Sequence, residues 1–416
     1  MKKILIAFVS SLLFFQFTYA ENTNLEKLFL QIEKKPLISQ KNIYKKYIKQ
    51  LNFVLTKKNY QPYFEEINSI KKQFEIKEKL ILKKLNEKKI SINSHNTLIL
   101  KFNNWINIDN YIQKNKTKIS TSDSVFIFRE KYNISSKNMK IITKKLKEIN
   151  PNILIFIDQE WWLVNRFISF EWGFNIKNYE SDTFVSERYS LLTSGEKNTL
   201  LQLFWKKYYF PSMKSIWNSY KNISDQNKKE FLEIISYIQL KNLQNHGINT
   251  HGIIGDLDLW NPVISGLSRS FSQEILDYFK LIDAYTVASK EVGIMLYLKH
   301  FPGHGSWKID SHKWILDYSH NTSYVKKNLI VFEYFLSKET NLTRWIMVGH
   351  MFLNKNISES FHKILEKSDF VITDDLAMNG YRSVKSISEN KIFTTKELEN
   401  YNNVIKVHTQ INIWIK

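Results

Sequence analysis

Short, unbroken apolar runs separated by helix-like stretches dominate the chain from residue 96 onward. They are TLILKF at 97–102, VFIF at 125–128, ILIFID at 153–158, IIGDLDL at 253–259, IMLYLKH at 294–300, WIMVGH at 345–350, FVITDD at 370–375 and VIKVH at 404–408. Hydrophobicity that is continuous instead of alternating predicts parallel strands covered on both faces. Eight such runs with helices between them predict an α/β fold, a (β/α)8 TIM-type barrel over 96–416. One connecting helix is predicted over 272–291, with Ile275, Leu276, Phe279 and Ile282 along one side. The crossover from Glu171 to His246 is too long for a single helix, which predicts an insertion at about 174–210.

The pattern before residue 96 is different. Between Tyr63 and Lys89 the apolar residues Ile67, Ile70, Phe74, Ile81 and Leu85 recur at helical spacing among lysines and glutamates, so residues 21–95 read as a helical extension. The first twenty residues combine two lysines, an apolar run from Ile4 to about Phe17 and the small residues Thr18 and Ala20. That is the pattern of a signal peptide cleaved after Ala20, and it predicts a periplasmic or secreted bacterial protein. The run is short for a bilayer span, so membrane contact is expected only if the signal stays uncleaved.

Composition narrows the picture further. With 416 residues, 43% hydrophobic, and 28 Phe, 21 Tyr and 11 Trp, the chain can bury one large core. Its formal charge of +20 comes from lysines spread along the whole length, not gathered into a patch. Nucleic acid is therefore not the expected partner, whereas anionic cell-wall polymers are compatible with such a surface. The chain has no cysteine, which excludes disulfides, thiolate catalysis and Cys-ligated zinc.

Polar residues collect at one end of the predicted strands. Asp158, Asp258, Lys299, His300, His350, Asp374 and Asp375 all stand at or near C-terminal strand ends, the edge where barrel enzymes assemble their sites. The stretch KHFPGHGSWKIDSH at 299–312 adds Gly303 and Gly305, which let the chain turn tightly under a bound ligand, and Asp310 two residues before His312. An Asp so placed can hold one ring nitrogen of a His and raise the basicity of the other, tuning it for proton transfer. A metal site built from His300, His304, Asp310 and His312 would need three ligands from one crowded loop, which is poor geometry.

KHFPGHG with the following DSH, together with DQE at 158–160, Arg166, GLSRSF at 266–271 and TDDLAM at 373–378, resembles glycoside hydrolase family 3 in its β-N-acetylglucosaminidase branch. The resemblance covers about residues 98–407. It implies a retaining exo-β-N-acetylhexosaminidase with no cofactor and no metal, acting on N-acetylglucosamine-containing glycans such as peptidoglycan fragments. By the same resemblance Asp374 is the nucleophile, His312 the general acid/base and Asp310 its partner, an arrangement that departs from the usual pair of carboxylates. Asp158, Arg166, Arg269, Lys299 and His300 would hold the terminal sugar. Trp161 and Trp162 stand where the family reads two glycines. Their indoles either offer a stacking platform or fill the subsite, and the second case would leave a glycan-binding protein without turnover.

Overall fold

Ile67, Phe74 and Ile81 are all buried on one helix, α1 (Phe64–Ser91). With Phe29, Ile32, Tyr44 and Leu51 they form a small core of their own, in which the Phe29 and Phe74 rings meet edge-on at 5.0 Å. The helical spacing read from the sequence accounts for this face, and Ile70 packs beside it. In the computed structural model the described residues are 29–33, 43–45, 47–49, 51–52, 55–56, 64–91, 97–102, 107–129, 134–160, 176–204, 210–257, 261–305, 316–338, 344–375, 378, 391–398 and 404–405. The predicted signal at 1–20 lies outside them. The chain divides into two units, Met1–Ile92 and Asn93–Lys416.

The second unit opens with β1 (Thr97–Phe102), the short helices α2 (Ile108–Lys114) and α3 (Lys116–Thr121), β2 (Ser124–Arg129), α4 (Ser136–Ile149) and β3 (Leu154–Ile157). A long crossover follows, carrying α5 (Thr183–Leu191), α6 (Ser194–Leu203), α7 (Met213–Tyr220) and α8 (Lys228–Asn245) before β4 (Thr250–Ile254). Next come α9 (Ile275–Val292), β5 (Met295–Phe301), β6 (Leu316–Asp317), α10 (Thr322–Ser337), β7 (Arg344–Val348), β8 (Met351–Asn354), α11 (Ser358–Glu366) and β9 (Phe370–Thr373). The described chain finishes with β10 (Lys391–Phe393), α12 (Thr394–Glu397) and β11 (Val404–Ile405).

Each of the eight apolar runs overlaps one strand of a single sheet, in the order β1-β2-β3-β4-β5-β7-β9-β11 with every pairing parallel, although β4 starts at Thr250 and takes only Ile253 and Ile254 from the run predicted at 253–259. The strands β6, β8 and β10 form a separate small sheet. Pairing of β1 with β11, which would close the barrel, is not among the pairings of the described residues.

The main sheet is nevertheless strongly curled. Trp345 on β7 and Phe156 on β3 bring their ring centroids to 5.4 Å, although β4 and β5 lie between their strands. In a flat sheet those strands would stand about 14 Å apart. The concave side therefore holds a layer of rings: Phe126, Phe156, Tyr297, Trp345 and Phe370. Gly252 is the β4 member of that layer, and a Cβ there would sit 2.4 Å from the Tyr297 ring.

The alternate positions, among them Ile155, Ile157, Ile253, Leu296, Leu298, Ile346 and Val348, join the helices in the main core. Covered on both faces, the strands read as continuous apolar runs. The helix faces differ from expectation at one residue. On α9 the buried arc runs through Tyr278, Leu281, Ile282 and Tyr285, while Leu276 is 69% exposed. The 3.6-residue period centred on Ile282 turns Leu276 away from the sheet. Among the described residues no helix is long and apolar enough to cross a membrane.

Candidate active site

Side chains two residues apart on a strand share a face. Phe156 lies in the ring layer, and Asp158 follows on the same face just past the end of β3. Tyr297 is followed in the same way by Lys299, and Phe370, through Ile372, by Asp374. The Asp374 amide donates to the Val348 carbonyl at 2.9 Å, which carries the β7–β9 ladder to that residue. One parity rule thus brings Asp158, Lys299 and Asp374 to the same C-terminal mouth of the curled sheet. All three, with Glu160, act electrostatically on the buried Tyr297 hydroxyl beneath them.

Lys299 is 3% exposed, and its ammonium lies 2.8 Å from Asp158 Oδ1 and 2.7 Å from Glu160 Oε1. Arg269 closes the group from the turn after β4. Its Nε donates to Glu160 Oε2 and its Nη2 to Glu160 Oε1, both at 2.7 Å, and its Nη1 reaches the Val263 carbonyl at 3.4 Å. That turn is pinned by Asn261, whose side-chain oxygen accepts from the amides of Val263 and Ile264, and by the Arg269 amide on the Ile264 carbonyl. Burial works against the charges of Glu160, Lys299 and Arg269. For Glu160 the fields of Arg269 and Lys299 outweigh it and hold the carboxyl well below the usual range. For Lys299 the two carboxylates outweigh it and raise the ammonium above its ordinary value. Two buried cations against two carboxylates make a neutral cluster, and Asp158, with 22% of its side chain exposed, is the member that reaches solvent most.

His300 is placed differently. Asp256, fully buried, accepts from His300 Nδ1 at 2.8 Å, from the His300 amide at 3.2 Å and from the His304 amide at 2.7 Å. Burial raises its carboxyl, but His300 prevails and the net shift is downward. Nδ1–H is given to Asp256, which fixes the orientation of the ring. The peptide bonds Lys299–His300 and Phe301–Pro302 in this turn are cis.

The glycines of this stretch answer to packing. Gly303 has φ +131, and a Cβ on Gly305 would lie 1.9 Å from the Leu257 carbonyl oxygen. Gly303 thus takes a backbone conformation that favours glycine, and Gly305 lets the Leu257 chain approach closely. His350 ties the other side of the mouth, with Nδ1 2.7 Å from Thr395 Oγ1 and Nε2 3.0 Å from the Asp375 carbonyl.

Of the residues singled out in the sequence, the structure brings Asp158, Lys299, His300, Arg269, Asp374 and His350 to this end of the sheet. Asp258, Arg166, Asp310, His312, Trp161 and Trp162 lie outside the described residues. Sequence reasoning passed over Glu160 and Asp256. The signal for Glu160 was present, since two cations buried in one cavity call for more than the single counter-charge of Asp158.

No family model matches the chain. A β-hexosaminidase from Thiobacillus denitrificans is 30% identical over 102 residues, which is 24% of this chain and 27% of that protein. The chain therefore spans about a quarter of the curated relative it matches. Among solved structures, the fold is similar to NagZ from Neisseria gonorrhoeae in complex with N-trifluoroacetyl-D-glucosamine, with a TM-score of 0.51 and 17% identity over 76% of this chain and 82% of that one. It is also similar to a glycoside hydrolase family 3 β-N-acetylglucosaminidase from Paenibacillus, with a TM-score of 0.50 and 17% identity over 76% of this chain and 54% of that one. The class is an α/β protein built on a curled parallel sheet. Within that class the fold is similar to that of a glycoside hydrolase family 3 β-N-acetylglucosaminidase, and the resemblance read from KHFPGHG and TDDLAM is supported at the level of the fold.

Proposed function

We propose that this chain is a glycoside hydrolase, an exported retaining exo-β-N-acetylhexosaminidase that removes terminal N-acetylglucosamine from cell-wall fragments or related glycans. The eight-stranded sheet would close as a (β/α)8 barrel, with the sugar held at its mouth by Asp158, Arg166, Arg269, Lys299 and His300. The observation that carries the reading is the convergence of Asp374 with the Asp158–Lys299–Glu160–Arg269 cluster at one end of the sheet.

The Asp374 carboxylate attacks the anomeric carbon as the glycosidic C–O bond breaks, and His312 gives its proton to the departing oxygen. The neutral imidazole then takes a proton from water, whose oxygen displaces Asp374 and releases the sugar with retained configuration. Asp310 orients the imidazole. The mature chain would begin at Glu21, in the periplasm or outside the cell.

The test is hydrolysis of a chromogenic N-acetyl-β-glucosaminide by the purified protein, paired with calorimetric binding of N-acetylglucosamine. Turnover that disappears in Asp374→Asn while binding persists supports the enzyme. Binding without turnover in the unmutated protein would instead make it a glycan-binding protein on the same scaffold. N-terminal sequencing of secreted material checks the cleavage after Ala20.

A further inference from the structure

Asp158, Lys299 and Arg269 carry roles implied by resemblance, but the group that holds two of them is Glu160. Its two oxygens accept from Arg269 Nε and Nη2 at 2.7 Å, and the Lys299 ammonium forms an ion pair with Oε1 at 2.7 Å. The carboxylate is 7% exposed, so this is a buried three-way ion cluster. Its backbone is anchored as well: Gln239 on α8 donates its Nε2 to the Glu160 carbonyl at 3.3 Å, and Tyr285 on α9 donates its hydroxyl to Gln239 Oε1. Two helices on the outer side of the sheet thereby fix a side chain at its mouth.

The donor inventory gives this arrangement a consequence. A lysine ammonium has three N–H groups. One is given to Asp158, and the Glu160 carboxylate is an ion-pair partner 2.7 Å from the nitrogen, so the two carboxylates together fix where the ammonium sits and where its remaining N–H groups point. Arg269 spends its Nε and one Nη2 proton on Glu160 and directs Nη1 to Val263. Most of its donors thus face inward.

We infer that Glu160 is a positioning residue that holds the Lys299 ammonium so that its remaining N–H groups face the sugar and fixes Arg269 as a supporting cation, so that Asp158 and Lys299 form the polar edge offered to substrate. This rests on the reading of the site as a sugar-binding mouth. A merely structural Glu160 would affect how much protein folds. A positioning Glu160 affects how well the folded protein binds.

The experiment compares the full chain with Glu160→Gln and Glu160→Asp, reading KM and kcat on a chromogenic N-acetyl-β-glucosaminide, affinity for N-acetylglucosamine, the thermal midpoint, and acetylation of Lys299 by acetic anhydride at pH 9 followed by mass spectrometry. Removing one charge-assisted anchor is expected to lower kcat/KM by about 10- to 100-fold, mainly through KM. Lys299 acetylation in Glu160→Gln is expected to accelerate about tenfold as the ammonium loses a counter-charge. Glu160→Asp keeps the charge but is one methylene shorter. It is expected to leave Lys299 protected and to raise KM by a smaller factor, which gives a reading even if Glu160→Gln does not fold.

Wild-type KM in Glu160→Asp, or wild-type KM and labelling in Glu160→Gln, would overturn the inference. A fall in thermal midpoint alone, with both parameters unchanged in the folded protein, would overturn it too. If the unmutated chain neither hydrolyses nor binds the sugar while Lys299 labelling still rises in Glu160→Gln, the functional reading fails and the anchoring of Lys299 by Glu160 stands.

Discussion

His350 and Asp375 meet at 3.0 Å, ring Nε2 to backbone carbonyl, so the residue beside Asp374 is tied to the end of β7. A carbonyl only accepts, so Nε2 carries the proton and Nδ1, 2.7 Å from the Thr395 hydroxyl, accepts in the neutral ring. His350 is fully buried and thus spans β7, the segment after β9 and the start of α12. In His350→Phe the Asp375 carbonyl and the Thr395 hydroxyl both lose a partner, and a destabilisation of about 1–3 kcal/mol is expected. The check is urea unfolding. A variant as stable as the parent would mean that water replaces the ring without cost.

Acid should weaken the fold in two stages. Burial, assisted by the positive charge of Lys299, pushes His251 down to about 3, and burial with the His300 charge pushes His304 down to about 4. The unfolded chain takes up these protons near 6.5, while the folded chain resists them. Their contribution is therefore complete above pH 6.5 and declines as pH falls toward 4 and 3. Glu196 acts lower. Burial raises it, but hydrogen bonds led by Ser224 overcome that and hold it at about 2, so its contribution is present above about 4.5 and is lost as pH falls toward 2. Chemical unfolding from pH 8 to 3 should show both slopes, and His251→Phe should flatten the first. An unchanged first slope in that variant would count against the assignment.

Glu196 also fastens the long crossover internally. Its Oε1 accepts from the Ser224 amide at 2.9 Å and hydroxyl at 2.6 Å, and its Oε2 from the Thr193 amide at 2.9 Å and Asn227 Nδ2 at 2.6 Å. In Glu196→Gln an amide N–H₂ must face two of these donors. A loss of about 2 kcal/mol is expected, with little change in substrate affinity because the contacts lie within the helical crossover. Calorimetric unfolding reads the loss, and a midpoint equal to the parent's would contradict the geometry.

Two glycines should refuse even a methyl group. Gly252→Ala drives a Cβ into the Tyr297 ring, and Gly305→Ala drives one into the Leu257 carbonyl. Gly195, with open space around its Cβ position, is the control. Overpacking at the first two sites is expected to destabilise the fold by about 1–3 kcal/mol or more, against less than 1 kcal/mol either way at Gly195. Equal midpoints across the three variants would refute the close approach.

The sequence by itself determined the strands. The runs of β2, β3, β5, β7 and β9 are apolar on both faces because ring layer and helix core both exclude water, and that composition is local information. It also determined which strand ends carry charge, since Asp158, Lys299 and Asp374 follow the apolar runs directly.

Only the tertiary structure decided how those charges combine. Glu160 reaches Arg269 across 109 positions of chain and Lys299 meets Asp158 across 141. Asp256 was passed over in favour of Asp258 because nothing local says which aspartate will face His300. Parity along a strand is set by backbone geometry and can be read residue by residue, whereas ion pairing depends on which strands curl together, a property of the whole packed sheet.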